Sequence, residues 1–181
     1  MHDDQWEGQQ FQISPGNLYS EVQKVKVDPR AGGVIKLSAD KIIPKIEFPA
    51  DTPYVKRFRF ESPMLTRFWG RPIYIGATAL LPRDYDKETI SYPVLYMQGH
   101  FSTAAPIGFR EDTDIYMAWM GDNYPRMVVV TFQHPTPYFD DSYAVNSVNV
   151  GPYGDAIMQE LIPGRSGPIT IPCSGGSTRR E

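Results

Sequence analysis

Residues 126–134 read RMVVVTFQH, an apolar run with no polar alternation, the pattern of a strand covered on both faces. YPVLYMQG at Tyr92–Gly99 has the same character and ends in glycine. Between them, Arg110–Gly121 carries Ile115, Met117, Ala118, Trp119 and Met120, which predicts a helix. Buried strands that alternate with helices argue for an α/β fold with a parallel sheet.

The pattern extends outward on both sides. Downstream, DAIMQELIP (Asp155–Pro163) predicts a helix, with Asp155 at the positive end of the dipole. Ile157, Met158 and Leu161 share a face there, and Pro163 ends it. PITIPC then reads as a third buried strand. Upstream, YVKRFRFES alternates Val55, Phe58 and Phe60 against Lys56, Arg57 and Arg59. In Arg71–Pro82, Ile73, Ile75, Ala77 and Ala79 occupy one face. These two segments predict antiparallel strands at the sheet edge, joined through SPMLTRFWG. RDYDKETIS is a surface loop and PTPYFDDSYAVNSVNVGPYG a long one.

Three segments result. Residues 1–50 form an irregular β-containing arm, residues 51–163 the α/β unit, and residues 164–181 a tail. In the arm, Val22, Val25 and Val27 with Val34, Ile35 and Leu37 predict short strands around the turn DPRAGG.

Composition narrows the function classes. The chain has 181 residues, 41% of them hydrophobic, and a formal charge of −3. With no extended basic run, a phosphate-neutralising nucleic-acid surface is excluded. Cys173 is the single cysteine, so neither an internal disulfide nor a cysteine zinc cluster can form. No apolar run reaches the length of a membrane span. The start, MHDDQWEGQQ, lacks the basic and apolar regions of a signal peptide, so a cytoplasmic product is expected from the chain as written.

In open α/β sheets, ligands gather at the carboxyl ends of parallel strands. Those ends carry QGHFST (98–103), QHPTPYFDD (133–141) and SGGST (174–178). Ser177 stands in a near-match to a nucleophile elbow, where small neighbours are needed because strand and helix crowd each other. Gly175 and Gly176 fit, and Arg179 replaces the last glycine. The Thr178 amide would supply one oxyanion donor and the backbone at Gly99–Phe101 the other. A flexible Gly/Ser-rich tail is the competing reading.

His100 and His134 both lie upstream of Ser177 at strand ends, and four residues follow Ser177. His100 suits an oxyanion loop or substrate pocket better than a general base. His134 beside Asp140 and Asp141 lacks the spacing of a metal site, and no metal or cofactor is expected. Cys173 reads as a small buried hydrophobe. The aromatic stretches RFRF and RFWGRPIY read as core and sheet face rather than as stacking platforms, and the acidic REDTD as a helix N-terminal charge cluster.

The run SPMLTRFWGRPIYIGATALLPRDYDKETISYPVLYMQGHF resembles the opening of the esterase branch of the α/β-hydrolases, related to feruloyl and acetyl xylan esterases. VVVTFQHPTPYFDDSYAVNSVNVGPYGDAIMQELIP is more closely similar, in its NVGPYGDA helix start and ELIP ending. The likeness covers most of residues 16–163, and the stretches GNLYS and VDPRAGG resemble a linker upstream of the esterase core in large bacterial members. It implies a partial α/β-hydrolase sheet, two antiparallel edge strands plus parallel strands with flanking helices. It implies Ser177 as nucleophile, with Gly99, His100, Phe101 and Thr178 forming the oxyanion and substrate-binding set. The substrate implied is a small-molecule or carbohydrate-linked carboxylic ester, and relatives are often exported.

The sequence departs from that pattern at GRSGPITIPC, which is shorter than the corresponding segment, and at Arg179-Arg180, where a second glycine pair belongs. No acid–histidine pair follows Ser177 in this chain, so it is expected to be a hydrolase fragment, inactive or nearly so alone. The rival reading is a non-catalytic β-rich carbohydrate-binding module that uses the aromatic strands. A third takes residues after Pro163 as a frameshifted tail.

Overall fold

The computed structural model describes residues 15–30, 32–44, 49–100, 104–137 and 141–163. Ser177, Thr178, Phe101, Cys173 and the segment PITIPC lie outside the described residues.

The arm contributes two short strands, β1 (Leu18–Tyr19) and β2 (Lys41–Ile42), paired antiparallel. Backbone bonds Gly16 to Ile43 and Ile43 to Asn17, both 2.9 Å, extend this pairing. The strands expected around DPRAGG do not form. Asp28 accepts the Arg30 N–H at 2.9 Å, so the chain turns there, yet Val22, Val27, Val34 and Leu37 are exposed. β-branched residues pair stably only where one face is covered, and no described residue covers these.

The α/β unit follows in chain order: β3 (Val55–Glu61), α1 (Pro63–Trp69), β4 (Tyr74–Leu80), β5 (Val94–Met97), α2 (Asp114–Met120) and β6 (Val128–Gln133). A small antiparallel pair, β7 (Asn146–Ser147) and β8 (Gly151–Pro152), leads into α3 (Tyr153–Ala156). The four-stranded sheet has the order β3-β4-β6-β5. Its first two pairings are antiparallel and β5–β6 is parallel, bridged by α2. This is a mixed α/β sheet, as expected, although β4 is interior and only β3 of the antiparallel pair is an edge.

The sheet is covered on both faces. Ile75, Ala77, Ala79, Val128, Val130 and Phe132 form one core with Leu65 of α1 and with Tyr153, Ala156, Ile157 and Leu161. Val55, Leu80 and Val129 have the opposite parity and pack with Phe109 and Trp119 of α2. The Trp119 indole N–H donates to the Leu81 carbonyl at 2.9 Å, so the buried indole is satisfied. Strict period-2 register corrects one expectation: Val55 points to the α2 face, while Phe58 and Phe60 pack against the other core.

The connection SPMLTRFWG is the helix α1. Ser62 caps it by accepting the Leu65 N–H at 3.2 Å, Pro63 occupies the first turn, and Gly70 ends it at φ 68°. After α3 the helix widens into a π turn over Ile157–Leu161, closed by Ile162 N–H to Ile157 C=O at 2.9 Å. Ile157 and Leu161 are buried there, but Met158 is exposed and does not share their face. The wider turn rotates Met158 out of the helical stripe.

β6 is buried as its composition predicts, but β5 is not. All four β5 side chains are exposed, from 36% at Val94 to 47% at Leu95. The reason is position: among the described strands β5 is the outer one, beyond β6. Tyr96 still stacks on Phe132, with ring centroids 5.6 Å apart.

Candidate functional site

The carboxyl ends of the parallel strands β5 and β6 lie side by side, and the residues that follow each strand converge. Gln98, Gly99 and His100 continue β5, His134 continues β6, and Asp141, Ser142 and Tyr143 return to the same place. His134 is almost fully buried. Its Nδ1 lies 2.9 Å from Asp141 Oδ1 and 2.9 Å from Ser142 Oγ. A carboxylate only accepts, so Nδ1 carries the proton, and Nε2 faces the Gln98 amide nitrogen at 3.4 Å. Burial pushes the His134 imidazole below its ordinary range, against the opposing pull of Asp141.

Asp141 is the centre of the cluster. Its side chain is 0% exposed. Oδ1 accepts the Tyr143 N–H at 2.7 Å, and Oδ2 meets His100 Nδ1 at 3.0 Å. Ser142 Oγ accepts the Ala144 N–H at 3.0 Å. These two side-chain turns hold Tyr143 and Ala144 at φ 52° and 54°, a left-handed stretch that non-glycine residues rarely adopt. The loop is fixed from below by Tyr153, whose buried hydroxyl donates to the Pro135 carbonyl and whose pKa burial raises.

Of the expected site residues, His100 joins this cluster through Asp141 and Gly99 precedes it in the chain, both exposed. Among the described residues, a Cβ placed on Gly99 would meet nothing within 4 Å. Gly99 is not among the residues with positive φ, so its backbone does not demand glycine. His134 and Asp141, set aside as a weak metal pair, are instead joined by a hydrogen bond with His100 on the far oxygen. Among the described residues, no group of three or more His, Cys, Asp or Glu could hold a metal ion. Sequence reading missed the role of Asp141 because its two histidine partners come from different strands, with His100 41 positions away. The local signal was DDS following a buried strand, an Asx- and Ser-turn pattern.

A second cavity of about 450 Å³ opens on the α2 side of the sheet, lined by Val55, Arg57, Phe109 and Arg110. Arg110 is paired with Asp112 and Arg57 donates to the Ala50 carbonyl at 3.1 Å, so its cations are engaged. Among the described residues, no helix is long and apolar enough to cross a membrane.

Compared with known proteins, the chain matches no family model, no curated protein and no solved structure.

Proposed function

We propose that this chain carries part of the sheet of an esterase-type serine α/β-hydrolase, acting on carboxylic esters of small molecules or carbohydrates. The observation that carries the reading is the polar cluster at the carboxyl ends of β5 and β6. There Gly99, which among the described residues has room for a Cβ, runs into the His100–Asp141–His134 cluster. That is where an open α/β sheet takes its ligand. In this reading the Gly99–Phe101 backbone and the Thr178 amide stabilise the oxyanion, Ser177 is the nucleophile and His100 lines the substrate pocket. The exposed apolar strand β5 supports it further, because such a strand is suited to the interior of a larger sheet.

In the α/β-hydrolase order the base is a histidine later in the chain than the serine, and a serine hydroxyl without a base is a weak nucleophile. Turnover of a short p-nitrophenyl ester that depends strongly on Ser177 would overturn the expectation that the chain alone is not an efficient serine esterase. Ligand recognition is checked separately. Methyl ferulate or an acetylated xylo-oligosaccharide should shift the amide resonances of Gly99 and His100. Absence of any shift there, with saturable binding to unesterified xylan instead, favours a non-catalytic carbohydrate-binding module.

A further inference from the structure

Asp141 and His100 have the arrangement in which a buried acid orients an imidazole for proton transfer. The carboxylate is wholly buried and held by Tyr143 N–H and His134 Nδ1 on Oδ1, while Oδ2 accepts from His100 Nδ1. The His100 side chain is 53% exposed. Because the acceptor on Nδ1 is a carboxylate, the neutral ring keeps its proton there and presents a lone pair on Nε2. Among the described residues Nε2 has no partner. Tyr143 flanks the ring edge-on at 5.1 Å, and Gly99, next in the chain, has room for a Cβ among the described residues.

We propose that His100, positioned by Asp141, is a catalytic general base that lets this chain hydrolyse carboxylic esters by direct attack of water, without Ser177. Water adds to the acyl carbon as His100 Nε2 takes one of its protons. The tetrahedral intermediate collapses with cleavage of the C–O bond, and the imidazolium returns the proton to the departing alkoxide. Carboxylic acid and alcohol leave, and His100 is neutral again. Asp141 keeps the ring in the correct tautomer and stays ionised throughout. The ester class rests on the function proposed above; the dyad rests on geometry alone.

Two measurements on the full chain test this. The first reads the His100 ring nitrogens by nitrogen NMR. Nδ1 should carry the proton in the unmodified chain, because it faces the Asp141 carboxylate, and Asp141→Ala should shift the ring toward the tautomer protonated on Nε2. An unchanged tautomer balance overturns the positioning role. The second measures hydrolysis of phenyl acetate, whose poor leaving group suppresses simple surface-imidazole reaction. His100→Gln, at a half-exposed position, should lower the rate at least about tenfold. Met158→Ala serves as the control, because Met158 is exposed and outside the cluster. A rate retained in His100→Gln, or no hydrolysis by the unmodified chain, overturns the proposal. Loss in Ser177→Ala instead assigns turnover to the serine and overturns the dyad alone. A failed ligand shift at Gly99 with an intact Asp141-dependent tautomer rejects the ester class and leaves the dyad standing.

Discussion

Glu160, near the end of the last helix, accepts the Met64 backbone N–H at 3.0 Å and the Ser62 hydroxyl, 96 and 98 positions away. Ser62 in turn caps α1 through Leu65. One carboxylate therefore closes the N-terminus of α1 and ties the two helices that cover the same sheet face. Charge-assisted acceptors at a helix start are among the stronger hydrogen bonds. Glu160→Ala should cost about 1–3 kcal/mol, because it leaves two partly buried donors unpaired. Urea unfolding, with exposed Met158→Ala as reference, measures it; a change within about 0.5 kcal/mol would rule out the tie.

Two glycines should behave oppositely. A Cβ on Gly76 would lie 2.3 Å from the Phe58 carbonyl oxygen, so β3 and β4 would have to part. Gly76→Ala should destabilise the chain by about 1–3 kcal/mol through overpacking. Gly99→Ala meets no atom of the described residues and should leave the unfolding midpoint unchanged. Equal effects of the two substitutions would contradict the packing described.

Acid should weaken the fold through His134. The unfolded chain takes up a proton there near pH 6.5. The folded chain resists because burial holds its pKa lower. Below about pH 6.5 the unfolded state therefore binds more protons, and stability falls as pH drops; above it this contribution is fully present. Urea midpoints from pH 7.5 down to 5.5 should decline, and more shallowly in His134→Gln. The same slope in both proteins would place the loss elsewhere.

β5 and β6 should tolerate change very differently. Leu95→Lys, on the exposed outer strand, should alter stability by less than about 1 kcal/mol and raise the concentration at which the chain aggregates, because a charge blunts an open edge. Val129→Ala, at a buried position in the adjacent strand, should cost about 2 kcal/mol. Turbidity and unfolding curves separate the two effects. A large loss from Leu95→Lys would show that β5 is covered.

Much of this fold was legible without coordinates. Alternation places β3 and β4, an unbroken apolar run places β6, the 3.6 spacing places the region of α2, and the polar strand ends point to the His100–Asp141–His134 cluster. Ser62, Pro63 and Gly70 carry the capping signals of α1, so that helix was readable too, although the segment reads at first as a plain connection. Local chain chemistry decides these elements, because dihedral preference, capping and alternation act over a few residues. Three features had to wait for the tertiary structure. The apolar composition of β5 says what it could pack against, while its exposure depends on being outermost. The arm's valines alternate but find no face among the described residues to cover them. Asp141 meets His100 and His134 only because β5 and β6 lie side by side in parallel. Burial and the meeting of distant side chains depend on which strands become neighbours. That is a property of the packed sheet, set by contacts far apart in the chain.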